Sequence, residues 1–414
     1  MKKLVALLLV LSLAAALFAG CGSKADAPAA DDGAKKVKVG VVLVGDENEG
    51  YTYAHIEGLE KAMDKLGIDK KADAVWKYSV GEDETCYDAI ADCIDQGCNI
   101  VFTNSYGHQS FAKQAAEENP DVQIVAMTGD TAKASGLKNF HNAFTEIYEA
   151  RYAAGVVAGM KIAELDEAGK LTDANFAKDG TVKVGYVGAY PYAEVVSGYT
   201  AFFLGIKSVY ENVSMEVQYT NSWFDITAEN EAAVALIADG CVIIGQHADS
   251  TGAPTACEAA LKAGTTVYSV GYNVDMLSVA PTAALTSPTN EWVEYYTYAI
   301  GAVLKGEKFD TNWAKGFADD AVAVTKLGPS CAPGTQEKVD ELIAAFKAGK
   351  LNVFDTNTFT VGGEKLSTFL ADVHDMGDFA GETESVKDGE FQESVYRSAP
   401  TFAIDIDGIT IIDG

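Results

Sequence analysis

Positive charge is scarce in this 414-residue chain. There are 31 lysine and arginine residues against 60 aspartate and glutamate residues, which gives a formal net charge of −29 at pH 7. Nucleic acids and anionic lipid surfaces are recognised through basic patches, so this balance argues against both as the main ligand. It is compatible with a neutral or weakly cationic small molecule.

The groups on which most enzymes and metal sites depend are also scarce. The chain has five histidines, no Cys-x-x-Cys pair, no Gly-x-Ser-x-Gly elbow and no phosphate-binding P-loop. The histidines of "HADS" and "FHNAF" lie near acids, but no nucleophile is placed beside them. We therefore expect a binding protein, not an enzyme, with no cofactor and no metal. The sequence leaves open the pairing of six cysteines, Cys86, Cys93, Cys98, Cys241, Cys257 and Cys331.

The N-terminus has the layout of a secretory signal peptide. Two lysines precede an apolar run from Leu4 to Phe18, and small residues precede Cys21. A cysteine directly after Ala-Gly resembles a lipoprotein signal, so we expect residues 1–20 to be removed and Cys21 to carry a lipid. Residues 21–36 then form an unpatterned tether, and the protein is held at the membrane on its extracellular or periplasmic side. The alternative is a plain signal peptide with an incidental cysteine.

Apolar β-rich runs alternate with helical stretches along the rest of the chain. Residues 39–67, "VGVVLVGDENEGYTYAHIEGLEKAMDKLG", begin as a buried strand and end as a helix with one apolar stripe. A helix after each early strand predicts right-handed βαβ units and a parallel sheet. The same design restarts at "TVKVGYVGAYPYAEVVSGYT". The sequence therefore predicts an α/β fold of two doubly wound parallel-sheet lobes joined by a hinge.

The lobes are expected to share the chain discontinuously. We assign residues 37–145 plus about 285–308 to the N-terminal lobe, and residues 146–284 plus about 309–350 to the C-terminal lobe. The crossovers would then lie near residues 145, 285 and 310. Residues 351–414 form an acidic, strand-rich extension, interpreted as a hairpin packed on the second lobe, with a partner-binding arm as the alternative.

Aromatic residues stand beside Asn, Ser, His or Asp in most of the turns that follow predicted strands. In doubly wound sheets ligands bind at these carboxyl ends of the strands. Aromatic rings with polar neighbours suit a flat ligand with hydrogen-bonding edges. Besides the turn at Tyr51, the sequences are "TNSYGH" (103–108), "VGAYPYAE" (187–194), "TNSWFD" (220–225), "GQHADST" (245–251) and "GYNVDM" (271–276). They predict a ligand cleft between the lobes.

The motifs "GYTYAHIEGLEKA", "VFTNSYGHQSFAKQAAEENPDVQ", "YEARYAAGVVAG" and "NSWFD", with the lipoprotein-like start, resemble the basic membrane protein family. These are substrate-binding lipoproteins of ABC importers with the type I periplasmic-binding fold. The resemblance runs from about Val37 to Phe354. It implies capture of a purine nucleoside between aromatic rings and delivery to an ABC permease and its ATPase.

The resemblance and the turns together give the candidate site. Tyr51 would be one stacking face, and Trp223 or Phe224 would be the opposing one. Asp225 or Asp249 would accept hydrogen bonds from an exocyclic amine, although Asp225 has the alternative role of a helix N-cap. The candidate ligand-binding residues are Tyr51, Thr52, His55, Ser105, Tyr106, Tyr190, Trp223, Phe224, Asp225, His247, Asp249, Asn273 and Asp275.

Two departures from the family pattern bear on the ligand. The family's Gly-x-Asp-x-Asp reads here from Gly271 to Asp275 with Asn273 as its first acid, and the lysine that commonly follows Thr-Ser reads as Asn290. Both positions resemble ribose contacts, and charged groups bind a diol strongly. Their loss favours a free purine base such as adenine, with a nucleoside as a close second. A sugar or autoinducer receptor of the same fold, and a sensor subunit rather than a transporter component, stay as alternatives.

Overall fold

A computed structural model describes residues 36–374 and 381–412, so the expected signal peptide and lipidated Cys21 lie outside the described residues, as does the tether up to residue 35. In chain order the strands are β1 (Val39–Val42), β2 (Ala74–Lys77), β3 (Ile100–Thr103), β4 (Gln123–Met127), β5 (Phe140–Thr145), β6 (Val182–Gly188), β7 (Val213–Tyr219), β8 (Ile243–Gln246), β9 (Tyr268–Val270), β10 (Ala284–Thr286), β11 (Pro288–Asn290), β12 (Asn312–Lys315), β13 (Val322–Val324), β14 (Leu370–Ala371), β15 (Thr383–Glu384), β16 (Val386–Lys387), β17 (Glu390–Phe391) and β18 (Ile409–Ile412).

The α-helices lie mostly between consecutive strands. They are α1 (Gly50–Leu66), α2 (Glu84–Asp95), α3 (Gln109–Glu118), α4 (Ala132–Ser135), α5 (Ile147–Glu167), α6 (Ala193–Lys207), α7 (Ile226–Asp239), α8 (Gly252–Lys262), α9 (Val293–Lys305) and α10 (Thr335–Lys347). Short 3-10 helices occur at Tyr106–His108, Asp173–Asn175, Met276–Ser278 and Phe317–Asp319.

The first lobe is built on a parallel sheet with the strand order β2-β1-β3-β4-β5-β12. Successive residues of β1 serve opposite faces: Val41 packs in the core beneath α1 and α9, and Val42 packs in the core beneath α2 and α3. A strand buried on both faces reads as a continuous apolar run, which is why "VGVV" shows no alternation. This sheet brings the turns after β1, β3 and β4 to one edge.

Helix α1 carries the first of these turns into the lobe. Its buried residues include Leu59 and Met63 on the predicted apolar stripe. Gly67, with φ at 70°, ends the helix in the left-handed conformation that glycine adopts most readily. A Cβ on Gly58 would lie 2.8 Å from Cβ of Trp292, so α1 and the start of α9 touch almost at backbone distance.

The second lobe is built on a matching parallel sheet with the order β10-β9-β8-β6-β7-β18. Helices α5 and α6 cross closely on this sheet: a Cβ on Gly155 would lie 2.1 Å from the Phe202 carbonyl oxygen, and a Cβ on Gly205 would lie 2.1 Å from that of Tyr152. The two parallel sheets confirm the predicted α/β fold class.

The chain passes between the lobes three times, and the third passage corrects the expected boundary. A break at 309 would place residues 312–315 in the second lobe. Strand β12 instead pairs in parallel with β5, so these residues belong to the first sheet. The run "NWAK" is too short to show from sequence which sheet it completes. After β12, the antiparallel pair of β13 with β11 leads to α10, which packs on α5. The Glu146 N–H donates to the Lys315 carbonyl oxygen at 2.7 Å, which ties two of the passages together.

The C-terminal extension is built into the second lobe. Its last strand, β18, continues the second sheet beside β7, and Phe354, Phe391 and Phe402 join that lobe's core. The antiparallel pairs β14–β15 and β16–β17 form two short ribbons, where a single hairpin was expected.

Within the described ranges, no helix has the length and apolar character needed to cross a bilayer. The six cysteines after residue 36 are free thiols in this structure.

Candidate functional site

A cavity lies where the strand ends of the two lobes meet. The first lobe and the second lobe both contribute to its wall, as expected for a doubly wound fold. The wall is formed by Val44, Glu49, Tyr51, Ser105, Tyr106 and Thr128 of the first lobe, and by Glu194, Trp223, His247, Asp249 and Tyr272 of the second.

Tyr51 enters the wall from the first turn of α1. Its hydroxyl donates to the Asn104 carbonyl oxygen, and burial raises the pKa of the phenol well above its usual value, so the group stays a neutral donor. His55 lies behind it, one turn along the helix, with its ring 4.6 Å edge-on from that of Tyr51. Buried His55 bonds to the Tyr296 hydroxyl at 2.7 Å and stacks on Trp292, and burial lowers its pKa to about 3. It supports the wall as a neutral ring and does not line the cavity.

Glu49, which the sequence analysis did not select, lines the cavity beside Tyr51. The Thr52 hydroxyl donates to the Glu49 carboxylate, and Asn104 Nδ2 donates to Thr52 Oγ1 at 3.2 Å. Thr52 therefore lies inside the lobe and not in the cavity wall, and its hydroxyl holds the Glu49 side chain in place. Burial is the main cause that raises the pKa of Glu49.

Trp223 forms the aromatic part of the opposite wall. Its ring packs edge-on against Tyr190 at 5.1 Å and lies 6.0 Å from Tyr192. Tyr190 is thus a supporting ring behind the wall. Phe224, the other candidate for this face, is 44% exposed and does not line the cavity.

Asp225 and Asp275 act as helix caps and do not line the cavity. The Asp225 carboxylate accepts from the backbone N–H groups of Thr227 and Ala228 at 3.0 Å each, at the start of α7. The Asp275 carboxylate accepts from the Leu277 N–H at 2.7 Å, at the start of a 3-10 helix. Both carboxylates satisfy free N–H groups at a helix start, as N-cap residues do.

Asp249 is the acid that the structure places in the wall. Its Oδ1 accepts from Asn273 Nδ2 at 2.9 Å, and its backbone N–H donates to the Trp223 carbonyl oxygen at 2.9 Å. Asn273 Oδ1 accepts from Asn290 Nδ2 at 3.0 Å, and Asn290 Oδ1 accepts from the Thr145 hydroxyl. Asn273 therefore lies behind the wall, in a chain of amides that links Asp249 to two of the interlobe passages. Burial first, and then the nearby acids, raise the pKa of Asp249 well above its usual value.

Glu194 and His247 form a second polar group of the wall, above a buried arginine. His247 Nε2 lies 3.2 Å from Glu194 Oε1. Arg151 donates to the Tyr186 hydroxyl at 2.6 Å and to the Gln246 carbonyl oxygen at 3.1 Å, and its guanidinium lies 4.0 Å from the centre of the Tyr272 ring. Burial raises the pKa of Glu194 to about 7, and burial and Arg151 lower that of His247. The histidine is therefore neutral in this site.

The turns after β3 and β4 complete the first lobe's side. The Ser105 hydroxyl donates to Glu82, and the Tyr106 hydroxyl donates to Asp130 Oδ2 at 3.2 Å. Thr128 holds φ at 61°, the left-handed conformation, at the end of β4. The ring of Tyr106 faces the cleft. Its centre lies 5.9 Å from the centre of the Tyr192 ring in the other lobe. The lobes are thus closed on each other in this structure.

Of the predicted residues, the structure brings Tyr51, Ser105, Tyr106, Trp223, His247 and Asp249 together in one wall. Val44, Glu49, Thr128, Glu194 and Tyr272 were missed. Glu49, Glu194 and Tyr272 lie inside the turns that were selected from the sequence. The turns were therefore identified correctly, but the sequence did not show which of their residues line the cavity. Over the described ranges, no three His, Cys, Asp or Glu side chains are placed to hold a metal ion.

Residues 36–345 match the family model Bmp, described as ABC transporter substrate-binding protein PnrA-like. The chain belongs to the Bmp family. It is therefore a substrate-binding protein that binds a small-molecule ligand and works with an ABC transporter outside the cytoplasm. Membership of a transport family also confirms that it is not an enzyme.

Two relatives illustrate the range of ligands. The purine-binding protein of Brucella abortus is 32% identical over 324 residues, which cover 77% of this chain and 83% of that protein. A Haloferax volcanii protein, named as a candidate glucose-binding protein of an ABC transporter, is 31% identical over 242 residues, which cover 58% of this chain and 55% of that protein.

Solved structures support the fold. An ABC transporter solute-binding protein from Conexibacter woesei superposes with a TM-score of 0.59 at 21% identity, covering 76% of this chain and 98% of that one. One from Aeropyrum pernix K1 superposes with a TM-score of 0.62 at 15% identity, covering 77% and 93%.

Proposed function

We propose that this Bmp-family protein captures a free purine base, adenine-like, between Tyr51 and Trp223, and delivers it to an ABC importer. A purine nucleoside is the close alternative. The observation that carries the proposal is that these two aromatic residues come from opposite lobes and line the same cavity. A planar heterocycle can stack on both, and stacking on such side chains contributes about 1–3 kcal/mol per base.

The acids of the wall suit the edge of adenine. Because burial raises the pKa of both Asp249 and Glu194, each can be a neutral carboxyl group when the cleft is closed. A neutral carboxyl donates one hydrogen bond and accepts another, whereas a carboxylate only accepts. It can donate to a ring nitrogen of adenine and accept from the exocyclic amine beside it. Asp249 Oδ1 already accepts from Asn273 Nδ2, so Oδ2 would carry the proton donated to the ring nitrogen, and the second lone pair of Oδ1 would accept from the amine.

The amide chain behind Asp249 favours a base over a nucleoside. Asn273 uses its Nδ2 on Asp249 and its Oδ1 on Asn290, so its amide is engaged at both ends. Neither asparagine supplies a charge for a ribose diol, and hydrogen bonds to charged groups are the strong ones. The name of the Brucella relative, a purine-binding protein, agrees with a purine ligand.

Mass spectrometry of the small molecule released when the purified protein is denatured tests the ligand directly. Titration calorimetry with adenine, adenosine, hypoxanthine and glucose then ranks the candidates. We expect adenine to bind tightest, with adenosine next. Glucose binding in the absence of purine binding would overturn the proposal and favour the sugar-receptor alternative. The name of the Haloferax relative, a glucose-binding protein, agrees with that alternative.

We also propose that a lipid on Cys21 holds the protein at the membrane. The proposal is supported by the sequence before the cysteine, where an apolar run ends in small residues. In cells labelled with a fatty-acid analogue, the wild-type protein should carry label and partition with membranes. Cys21→Ser should lose both, and a variant that keeps the label would contradict the assignment.

A further inference from the structure

Residues 393–401 of the C-terminal extension, here called the strap, lie outside the part of the chain that the family model matches. The strap is rooted in the second lobe. Ser197 Oγ of α6 donates to Glu393 Oε1 at 2.7 Å, and Glu393 Oε2 accepts from the Thr401 N–H at 2.8 Å. Directly after the strap, Phe402 stacks on Phe354 with ring centres 4.5 Å apart. The base of the strap therefore moves with the second lobe.

The tip of the strap reaches the first lobe. Arg397 Nη1 lies 3.3 Å from Asp130 Oδ2, in the turn after β4. Lys133 Nζ of α4 donates to the Tyr396 carbonyl oxygen at 3.1 Å, and Ser398 Oγ donates to Asn312 Oδ1 of β12 at 3.3 Å. Three successive residues of the strap thus each contact the first lobe.

The ion pair is a buried contact, whereas the Lys133 contact is exposed. The side chains of Arg397 and Asp130 are only 7% and 5% exposed. The guanidinium is held in place from its own side, because Nε donates to the Ala399 carbonyl oxygen at 3.4 Å and Nη2 donates to that of Pro400 at 3.1 Å. In the closed protein each buried charge is compensated by the other, so removal of either partner leaves an uncompensated buried charge, which is strongly unfavourable. The pair therefore favours the arrangement in which the lobes are together.

The ion pair also adjoins the ligand cavity. Asp130 Oδ2 accepts from the hydroxyl of Tyr106, a wall residue, at 3.2 Å. A neighbouring pocket is lined by Arg397 and Thr401 of the strap and by Tyr106, Thr128 and Glu194, which also line the cavity. The strap therefore lies beside the ligand site and is in contact with one of its walls.

We propose that the strap is an interlobe latch, in which Arg397 acts as a positioning residue that binds Asp130 only when the cleft is closed and so slows release of the ligand. Opening must break this pair, since its two members belong to different lobes. The latch is a property of closure. It relies on the proposed function only in that adenine serves as the probe.

A double-mutant cycle tests the latch. Arg397→Gln and Asp130→Asn remove one charge each from opposite lobes, and the two are then combined. We expect each single variant to speed adenine dissociation at least about tenfold in stopped-flow displacement, and the double variant to add little to either. In ligand-free protein, small-angle scattering should show a larger radius of gyration for both single variants. Lys387→Gln, which removes an exposed cation from the same extension, should match the wild type.

Each outcome bears on the latch. Wild-type dissociation rates and radii in both single variants would overturn it, as would fully additive effects in the double variant. Faster hydrogen exchange in the strap without a change in radius would assign the pair to local stability and also overturn the latch. If Arg397→Gln fails to fold, Asp130→Asn still tests the pair from the other lobe. If adenine does not bind the wild type, the proposed ligand fails, and the radii of the ligand-free proteins still decide the latch.

Discussion

The side-chain amide of Asn273 donates a hydrogen bond to Asp249 Oδ1 at 2.9 Å. An amide thus holds the acid of the cavity wall at a position where the family commonly has an acid. Asn290, where a lysine is common, holds the other end of the same amide. The two departures from the family pattern are therefore one coupled feature behind the cavity wall, where they hold the carboxyl group of Asp249.

Restoring both charges should change the ligand preference. In the double variant Asn273→Asp with Asn290→Lys, we expect the ratio of adenosine affinity to adenine affinity to rise at least about tenfold. The reason is that hydrogen bonds to charged groups contribute about 1.5–3 kcal/mol, more than neutral ones. Titration calorimetry with both ligands measures the ratio. Asn290→Lys alone buries an unpaired lysine and should lower the melting temperature; an unchanged ratio in the double variant would refute the role given to these positions.

Truncating Trp223 should weaken ligand binding without unfolding the protein. Trp223→Ala is expected to lower adenine affinity about ten- to a hundredfold, because one stacking face contributes about 1–3 kcal/mol. Phe224→Ala is the matched control: its ring is 44% exposed and outside the wall, so its affinity should equal that of the wild type. If the two variants show the reverse order, Phe224 is the stacking face. Calorimetry and the ligand-induced change in melting temperature give the comparison.

The raised pKa of Glu194 predicts a pH-dependent stability. Burial moves this pKa from 4.5 to about 7, so the folded state holds the proton more tightly than the unfolded state. The contribution is present below pH 4.5 and is lost as the pH rises through 7, and the shift corresponds to about 3 kcal/mol. Glutamine cannot lose that proton. The free energy of unfolding of the wild type should therefore fall relative to that of Glu194→Gln between pH 5 and pH 8.

Urea unfolding at both pH values measures that difference. The lowered pKa of His247 acts in the opposite direction, so the comparison with the variant matters more than the wild-type curve alone. Exposed Glu231→Gln is the control and should track the wild type at both pH values. A difference that stays constant from pH 5 to pH 8 would show that Glu194 does not titrate in this range.

Two glycine-to-alanine changes should have opposite effects. In Gly205→Ala the new Cβ would lie 2.1 Å from the Tyr152 carbonyl oxygen, so α5 and α6 must separate. We expect a loss of about 1–3 kcal/mol or more. In Gly301→Ala of α9 the nearest atom is Leu66 Cδ2 at 3.8 Å, so alanine should stabilise the helix by about 0.5–1 kcal/mol. Denaturant unfolding compares them, and equal effects would contradict the close helix contact.

The fold follows from local patterns, whereas the wall of the site depends on contacts that a pattern does not record. Strand-to-helix turns with aromatics gave the right edge of both sheets, because the carboxyl ends of parallel strands meet there. Trp223 and Phe224 are neighbours in one turn, and the sequence does not show which of the two side chains faces the cleft. His55 lies one helical turn from Tyr51, close enough to support it but behind it.

The acids show the same limit. Asp225 precedes a helix and caps it, which sequence allows as an alternative, while Glu49 and Glu194 join the wall through burial that only tertiary packing creates. The position of β12 was missed for a related reason. A four-residue run carries no information on which of two similar sheets it joins, and its pairing with β5 is decided by the path of the chain after α9.

Strand β18 has a consequence for biogenesis. The sheet of the second lobe acquires its outermost strand from residues 409–412, beside β7, which precedes them by most of that lobe's length in sequence. During synthesis and export, β7 must wait with an unpaired edge until the end of the chain arrives, and such edges promote aggregation. Premature termination a few codons before Ile409 would thus give a chain with a complete first lobe and an incomplete second sheet.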